Sequence, residues 1–415
     1  MNCEIITIGD ELLIGQVIDT NSAWMAARLN EIGVRVKQIT SVSDEPGHIT
    51  EALNAARKRA DVILMTGGLG PTRDDLTKET LCKYFDSELL EDKRVVEDLT
   101  KYFISRGREL TEVNRKQAEL PVKCKPIYNM HGTAPGMWFE DAGKIFVSMP
   151  GVPYEMKAMM EERVIPDIAT TFSLPKVFHY TIITTGVGES FLADIISDWE
   201  DQLPEFIKLA YLPSIAMVKL RLSCYGATPE KEAKLLLEAD KVKSLINKYI
   251  YGYNNDTPES VIGDLLVGRK ETLAIAESCT GGYLSHLVTS IPGCSSYYIG
   301  STISYANEVK SRFLGVDPTV IDSEGAVSEA VAKAMALGVK EKLGTTWALS
   351  TTGIAGPGGG TDSKPVGTVW IGIAGPGVVA ARKYQFGNNR LRNIQATAVY
   401  AFRILRNEML GMASD

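Results

Sequence analysis

The stretch CEIITIGDELLIGQVIDTNSAWMAARLNEIG, residues 3–33, decides the predicted fold of the first part of the chain. Its first six residues form an apolar run of strand length, and the run ends at a glycine. The later half repeats apolar residues at helical spacing, with Asn21 or Ser22 as the predicted cap and Gly33 as the stop. A strand that leads through a glycine turn into a helix is the repeating unit of a parallel α/β sheet.

Further runs of both kinds extend this pattern and divide the chain into three parts. The alternation continues to residue 170, gives way between 171 and 255 to alternating strands and a long charged helix, and resumes from 256 to 415. The polar stretch YGYNNDTPES is the predicted linker before the last part. We predict the α/β class, with two three-layer α/β domains that have mainly parallel sheets and are joined by a small α+β module.

The composition of the 415 residues is ordinary for a soluble globular protein, with 45% hydrophobic and 23% charged residues. A net charge of −7 argues against nucleic-acid binding through bulk electrostatics. The six cysteines include no CxxC pair, which is typical of reduced thiols in the cytoplasm. The N-terminus has no basic leader, and the longest weakly charged run, GTVWIGIAGPGVVAA, is broken by glycine and proline. We therefore predict a cytoplasmic protein with neither a membrane nor nucleic acid as a partner.

Two glycine-rich turns follow predicted strands of the first domain, GDELLIG at residues 9–15 and TGGLGPTRDD at residues 66–75. Ligands of parallel sheets bind beyond the carboxyl ends of the strands, where both turns are expected. Glycines let backbone N–H groups approach phosphate oxygens, and adjacent carboxylates suit a divalent cation that bridges phosphates. Either turn alone is more typical of a plain turn with solvated acids. Two of them on one sheet favour a phosphate-ester site, although no Walker A lysine follows.

The sequence ESCTGG, residues 277–282, follows an apolar strand and opens a helix in the last domain. Free N–H groups and the helix dipole at such a point favour negative charge, which suits an oxyanion or a phosphate. Ser278 and Cys279 are both candidate nucleophiles. Cys279 needs a nearby cation, and His286 lies about two turns along the next helix, so we interpret Cys279 as a small buried residue.

Lys310 is the candidate base for Ser278, because the four histidines offer no convincing partner. In ISYANEVKS, Tyr305 ends a strand and Asn307 is a predicted N-cap, which places Lys310 in the first turn of a helix. The positive end of the helix dipole disfavours the protonated amine there and helps to supply a neutral base. Spacing alone favours the alternative, a surface lysine near a strand-end tyrosine.

A third glycine-rich turn, TTGIAGPGGG at residues 351–360, follows another predicted strand. Its Thr352 offers a hydroxyl at the mouth of the turn, and its glycines suit a phosphate. Downstream, Lys364, Arg390 and Arg392 are candidate anion contacts. Each of these basic residues taken singly is more typical of a solvated surface.

The first domain resembles the molybdopterin-binding-type domain of the competence/damage-inducible (CinA) protein family. The resemblance lies in GDELLIGQVIDTNSAWMA and MTGGLGPTRDDLT, followed in order by NRKQAELP, NMHGTAPG and SMPGVPYEM. It implies hydrolysis of ADP-ribose with a divalent metal ion (Mg, Mn or Co), although related molybdopterin enzymes bind a pterin phosphate there. The implied site consists of the metal ligands Asp10, Glu11 and Asp75, the catalytic residues Asp74 and Asp75, and the ligand contacts Asn21, Gly67, Gly68, Gly70, Thr133 and Gly136.

The last domain resembles the CinA C-terminal domain, which includes nicotinamide mononucleotide (NMN) deamidase, a Ser/Lys amidohydrolase that needs no cofactor. The resemblance lies in AESCTGG, SYANEVK, GAVSEAVA, TTGIAGPGGG and KPVGTVW. It implies the nucleophile Ser278, its activating pair Tyr305 and Lys310, and a further active-site hydroxyl on Thr352. The implied substrate contacts are Thr280, Gly281, Gly353, Gly356 and Arg390, with backbone N–H groups near Thr280 and Gly281 holding the oxyanion.

Together these resemblances imply a bifunctional enzyme that recycles pyridine-nucleotide fragments, acts on NMN and ADP-ribose, and forms a homodimer. The middle module resembles the small linker domain of full-length CinA proteins, and its GVGES turn at residues 186–190 is predicted to cap a helix. Two alternatives stay open. One is a non-enzymatic competence or recombination partner that retains nucleotide-binding folds, and the other is a molybdopterin-type ligand in the first domain.

Overall fold

The computed structural model describes residues 1–72 and 75–412, so the predicted catalytic residue Asp74 lies outside the described residues. The chain divides into two compact units, one formed by residues 1–178 with 224–232 and the other by residues 179–223 with the chain from 233 onward. Within the described ranges, no helix combines the length and the apolar character needed to cross a bilayer.

The first part of the chain builds a six-stranded sheet with helices on both faces. The strands of this part of the chain, of which β4 and β5 lie outside the six-stranded sheet, are β1 (Asn2–Ile8), β2 (Arg35–Val42), β3 (Val62–Thr66), β4 (Leu89–Glu91), β5 (Glu119–Pro121), β6 (Lys125–Ile127), β7 (Gly136–Asp141) and β8 (Lys144–Met149). Its helices are α1 (Asp10–Leu13), α2 (Thr20–Glu31), α3 (Pro46–Arg59), α4 (Thr77–Tyr84), α5 (Lys93–Ile104), α6 (Glu112–Arg115), α7 (Pro153–Met159) and α8 (Ile165–Phe172).

The sheet has the strand order β2-β1-β3-β8-β7-β6, and β4 pairs separately with β5. The pairs β1–β2, β1–β3 and β3–β8 are parallel, whereas β7 runs antiparallel to β8 and to β6. Successive residues of β1 serve opposite faces, since Ile6 packs in one cluster with Leu53 of α3 and Ile5 in another with Met25 of α2. The carboxyl ends of β1, β2, β3 and β8 therefore share one edge.

The cap of α2 differs from the prediction. The N-cap is Asp19, whose side chain accepts a hydrogen bond from the N–H of Ser22 at 2.9 Å, and both Asn21 and Ser22 lie inside the helix. Aspartate, asparagine and serine are comparably good N-caps, so the sequence alone does not choose among neighbouring candidates.

The middle module follows the order β–α–β–β–α–β. Its elements are β9 (Val177–Thr185), α9 (Glu189–Glu200), β10 (Ile207–Ser214), β11 (Met217–Tyr225), α10 (Pro229–Ile246) and β12 (Ile250–Tyr253). The strand order is β10-β11-β9-β12, with β12 antiparallel to β9. This element order is that of the ferredoxin-like split βαβ motif. Gly188 is the N-cap of α9, which places the GVGES turn at a helix cap as predicted.

The last part of the chain builds a five-stranded sheet. Its helices are α11 (Pro258–Arg269), α12 (Tyr283–Thr289), α13 (Asn307–Leu314), α14 (Pro318–Glu324), α15 (Glu329–Leu343) and α16 (Arg390–Leu410). Its strands are β13 (Leu273–Glu277), β14 (Tyr298–Ile303), β15 (Trp347–Gly353), β16 (Thr368–Gly375) and β17 (Val378–Gln385).

This sheet has the order β14-β13-β15-β16-β17, with β13 parallel to β14 and β15 and with β16 antiparallel to both of its neighbours. Alternate residues of β13 pack on opposite layers, since Ile275 shares a cluster with Phe402 of α16 and Ala276 shares one with Met335 of α15. Helices therefore cover both faces of the sheet. The predicted α/β class with mainly parallel sheets is confirmed.

Candidate functional site

Ser278 lies directly after β13, in the turn that leads into α12, and its side chain is nearly buried. Its Oγ lies 3.2 Å from the Nζ of Lys310. Lys310 is the fourth residue of α13, and only 1% of it is exposed. The fold therefore places the predicted nucleophile and the predicted base in direct contact, and Lys310 is not a surface lysine.

The surroundings of the Lys310 amine fit its neutral form. Its Nζ lies 2.9 Å from the carbonyl oxygen of Ser304 and 3.1 Å from that of Tyr305. A neutral amine has two N–H groups for these two carbonyls, and its lone pair then faces the hydroxyl of Ser278. Burial lowers the pKa of Lys310, since desolvation outweighs the pull of its charged neighbours.

The start of α13 differs by one residue from the prediction. Asn307 is the first helical residue, and the N-cap is Ala306, which offers no side-chain acceptor. Lys310 nevertheless stays within the first turn, where the helix dipole opposes a positive charge. The dipole and the burial of the amine act in the same direction.

The N-terminus of α12 is not a free anion site, which corrects the expectation from the ESCTGG motif. The carboxylate of Glu277 accepts hydrogen bonds from the N–H groups of Gly282 and Ser285, both at 2.9 Å. The N–H of Gly281 donates to the carbonyl of Ser278 at 3.1 Å. Of the two predicted oxyanion donors, the N–H of Thr280 is therefore the remaining candidate.

Thr352 also lies differently from the prediction of a hydroxyl at the mouth of its turn. It is buried, and its hydroxyl donates to the carbonyl of Ala326 at 2.7 Å. Its neighbour Thr351 faces the nucleophile turn instead, with its hydroxyl 2.7 Å from that of Thr280 and its carbonyl accepting from the N–H of Ser278 at 2.9 Å. Adjacent strand residues point to opposite faces, so the two threonines cannot share one side of β15.

Tyr305 and Arg390 contact each other through their side chains. Arg390, the first residue of α16, donates to the hydroxyl of Tyr305 at 3.0 Å and to the carbonyl of Gly356 at 2.9 Å. Tyr305 reaches Lys310 through its backbone carbonyl, and its phenol reaches Arg390. The geometry favours direct proton transfer between Ser278 and Lys310 over a relay through the phenol.

Three other predicted ligand contacts lie elsewhere. A Cβ on Gly353 would come 2.8 Å from the carbonyl of Thr368, so this glycine serves the close pairing of β15 with β16. The amine of Lys364 donates to the carbonyl of Glu324 at 2.6 Å. Arg392 lines a cavity of about 430 Å³ beside the start of α16.

Cys279 has the properties of a packing residue. It is 6% exposed, and burial raises the pKa of its thiol to about 12. A thiol that stays protonated is a poor nucleophile, since the thiolate is the reactive form. The geometry therefore favours Ser278 as the nucleophile of this turn.

A second candidate site is a cavity of about 370 Å³ at the carboxyl edge of the six-stranded sheet. The predicted residues that line it are Glu11, Gly67, Gly68, Gly70, Asp75 and Thr133, and the polar residues that the sequence reasoning missed are Asp44, Gln117 and Glu155. The described lining residues include no lysine, arginine or histidine. The polar side chains of this wall are therefore acidic or neutral.

Gly67 shows why the cavity needs glycine. Its φ is +112°, and an added Cβ would lie 2.0 Å from the backbone carbonyl oxygen of Ile8. Any larger residue would push β1 and β3 apart at the point where their carboxyl ends form the cavity. The requirement for glycine at position 67 therefore comes from the close approach of its backbone to that of Ile8.

The acidic residues of the cavity cluster around Asp44, which follows the end of β2. Its carboxylate accepts a hydrogen bond from the N–H of Asp10 at 3.1 Å. Asp10, a predicted metal ligand, is exposed and is not among the described residues that line the cavity. Burial is the main cause that raises the pKa of Asp44, and the charges of Asp10, Glu11 and Asp75 raise it further. The position of Asp44 after a parallel strand was the available sequence signal for it.

Two predicted contacts lie behind the cavity wall. The amide of Asn21 donates to the carbonyl of Gly151 at 2.7 Å, and so supports a lining residue from outside. Gly136 begins β7, where a Cβ would come 3.0 Å from the carbonyl of Ser148. Asn21 therefore supports the site through a hydrogen bond and Gly136 through close packing, and neither is among the described residues that line the cavity.

The donor set fits a divalent cation that is also held by substrate and water. Within residues 1–72 and 75–412, no three His, Cys, Asp or Glu side chains come together as a metal-binding group. Magnesium, however, is commonly held by one or two carboxylates together with substrate phosphates and water. Glu11, Asp44 and Asp75 supply carboxylates of this kind, although Asp75 also accepts from the N–H of Thr72 at 2.9 Å.

Three family models match the chain along its length. They are the probable molybdopterin binding domain at residues 4–170, the damage-inducible protein CinA KH domain at residues 179–252, and the CinA C-terminal domain at residues 255–409. A CinA-like protein of Cytophaga hutchinsonii is 45% identical over 407 residues, which is 98% of this chain and 97% of that protein. The chain belongs to the CinA family. The resemblance inferred from the sequence motifs is thereby confirmed.

A second full-length relative agrees with this assignment. A CinA-like protein of Flavobacterium psychrophilum is 44% identical over 416 residues, which is 99% of each chain. A crystal structure of a CinA protein of unknown function from Thermoplasma acidophilum is 35% identical, with a TM-score of 0.38, and covers 40% of this chain and 97% of that one. The names of these relatives specify no substrate.

Proposed function

We propose that the last part of this CinA-family chain hydrolyses the carboxamide of NMN to give nicotinate mononucleotide and ammonia. The observation that carries the proposal is the Lys310 amine, held by two backbone carbonyls with its third position directed at the Oγ of Ser278. Such an amine is a ready general base for a serine nucleophile. The choice of NMN follows from the resemblance to CinA deamidases.

In the first half of the reaction, the Oγ of Ser278 attacks the carboxamide carbon while its proton passes to the Nζ of Lys310. The N–H of Thr280 is the candidate donor to the oxyanion. The tetrahedral intermediate then collapses, ammonia leaves with the proton returned by Lys310, and an ester to Ser278 remains. Water cleaves this ester with Lys310 again as the base, and the serine hydroxyl is restored.

Replacement of the nucleophile tests this proposal. Ser278→Ala is expected to lower ammonia release from NMN by about 1,000-fold or more, because the covalent route is lost. The matched control is Ser290→Ala, which removes an exposed hydroxyl that bonds only the carbonyl of Leu287 at 2.6 Å. Undiminished ammonia release by Ser278→Ala contradicts the assignment.

We also propose that the cavity of the first part splits ADP-ribose into AMP and ribose 5-phosphate with a divalent metal ion. The volume of about 370 Å³ falls in the range of small-molecule sites. The glycine-lined backbone at Gly67, Gly68 and Gly70 suits a diphosphate. One or two of the carboxylates of Glu11, Asp44 and Asp75 would hold the metal together with substrate phosphates and water. The metal would offset the phosphate charge, which the described carboxylate-lined wall does not do by itself.

Replacement of two carboxylates by alanine tests the second activity. The double variant Asp74→Ala/Asp75→Ala is expected to lose AMP formation from ADP-ribose and to keep ammonia release from NMN. Full AMP formation by this variant contradicts the proposal. Ligand binding without turnover at both sites would instead favour a non-enzymatic competence role, and binding of a pterin phosphate in place of ADP-ribose would favour a molybdopterin-type ligand.

The homodimer is likewise a proposal that rests on the CinA resemblance. Light scattering of the purified full-length chain tests it, and a monomeric mass across the working concentration range contradicts it.

The acidic net charge of −7 supports small nucleotides rather than nucleic acid as ligands.

A further inference from the structure

Glu277 carries a buried carboxylate and immediately precedes the proposed nucleophile Ser278 in the sequence. It is the last residue of β13, and none of it is exposed. Its side chain accepts five hydrogen bonds, from the N–H groups of Gly282 (2.9 Å), Leu284 (3.2 Å) and Ser285 (2.9 Å) and from the hydroxyls of Thr280 (2.7 Å) and Ser285 (2.5 Å). All five bonds come from the turn and helix that follow Ser278.

These contacts fix the shape of the turn. Hydrogen bonds to an ionised acceptor are roughly twice as strong as neutral ones, and five of them share one side chain here. Gly281 and Gly282 have φ of +61° and +102°, so the turn uses backbone conformations that glycine adopts most readily. The carboxylate therefore supplies the constraint that the flexible glycines do not.

The backbone of Glu277 reaches the base as well. Its carbonyl accepts from the N–H of Ser304 at 2.7 Å, and the carbonyl of Ser304 lies 2.9 Å from the Nζ of Lys310. One residue thus joins the nucleophile turn to the segment that holds the amine. A displaced Glu277 would change the distance of 3.2 Å between Ser278 Oγ and Lys310 Nζ.

We infer that Glu277 is a positioning residue for Ser278, and that its carboxylate sets the serine hydroxyl against the Lys310 amine. The inference rests on the proposed amide hydrolysis. The carboxylate bonds the turn and not the amine, so its effect is expected on the attack step rather than on the titration of Lys310. A purely structural role predicts lost stability without this selective effect on turnover.

Glu277→Gln tests the inference, because it keeps the shape of the side chain and replaces one acceptor oxygen with a donor. In the full-length chain, kcat for ammonia release from NMN is expected to fall about 100-fold, since misplacement by 1 Å can cost that much. KM and the acid limb of the pH profile are expected to stay unchanged. Wild-type kcat in folded Glu277→Gln, or a shifted acid limb, overturns the inference.

Ser285→Ala provides a milder second variant, since it removes one of the five bonds and keeps the carboxylate. Its expected loss in kcat lies between wild type and Glu277→Gln, and it decides the question if Glu277→Gln does not fold. Ser290→Ala, at the C-cap of the same helix, is the matched control. Wild-type kcat in folded Ser285→Ala, with Glu277→Gln unfolded, overturns the inference.

A second readout separates this inference from the proposed substrate. The rate at which a fluorophosphonate modifies Ser278, followed by intact mass, reports on the nucleophile without NMN. If wild type releases no ammonia from NMN, the proposed function fails, and slower labelling of Glu277→Gln than of wild type still supports the positioning role. Equal labelling rates overturn it.

Discussion

The two candidate sites differ in how much of their chemistry the protein itself supplies. At Ser278 the candidate nucleophile, the candidate base Lys310 and the carboxylate of Glu277 are buried, and hydrogen bonds join the segments that carry them. In the cavity of the first part, the described wall carries carboxylates, glycines and neutral groups. The first arrangement can move a proton with its own side chains. The described wall of the second carries charges of one sign, and the metal ion that we propose there would offset the charge of a phosphate ligand.

The largest effect is expected where the protein supplies the base. Lys310→Met removes the amine and keeps a buried side chain of similar length, so amide hydrolysis should fall about 1,000-fold, as is typical for a lost general base. ADP-ribose hydrolysis should not change. Lys333→Met is the control, since Lys333 only pairs with Glu329 on the surface. Ammonia release within tenfold of wild type would contradict the role of Lys310.

Removal of metal ions should act on the other site alone. After treatment with a chelator, AMP formation from ADP-ribose is expected to fall about 100-fold or more, because a bound cation contributes several kcal/mol of charge stabilisation. Ammonia release from NMN, measured in the same sample, is the internal control. Equal losses in both reactions, or no loss in either, would contradict a metal requirement that is confined to ADP-ribose hydrolysis.

The pH dependence of amide hydrolysis should report on the buried base. The pKa of Lys310 is lowered by burial from the ordinary value of 10.5, and the base must be neutral. The kcat/KM for NMN should therefore rise about tenfold per pH unit and level off below that value. Since the unfolded chain binds this proton more tightly, the contribution of Lys310 to folding stability also rises with pH between the lowered pKa and 10.5. A limb at or above 10.5 would contradict a buried base.

Much of the fold and part of the active site could be predicted from local sequence. Apolar runs followed by glycines predicted the parallel strands and the edge where the turns meet. Ser278 directly follows β13, and Lys310 lies in the first turn of α13. Thr352 could not be placed correctly, because its side depends on the pleat of β15. A shift of one residue exchanges the face toward Thr280 for the face toward Ala326.

Hydrogen bonds between the end of a strand and the helix that follows it could not be predicted from the sequence. Glu277 appears in the sequence as the end of an apolar strand, and nothing local shows that its carboxylate will accept the N–H groups of α12. Asp44 was missed for a different reason. Its position after β2 carried the signal, but its acidity becomes relevant only beside Glu11 and Asp75, which the sheet order brings near.

The smallest predicted effect concerns the contact between Tyr305 and Arg390. If Tyr305 acts through the hydrogen bond of 3.0 Å to Arg390, then Tyr305→Phe and Arg390→Met should not be additive in kcat/KM for NMN. Residues in direct contact typically show coupling of about 0.5–3 kcal/mol, so a coupling factor of about fivefold is expected for the double variant. Additive losses would mean that the phenol acts separately from Arg390, as a proton relay to Lys310 would. The cycle thereby tests whether the phenol of Tyr305 acts through Arg390 or as a proton relay to Lys310.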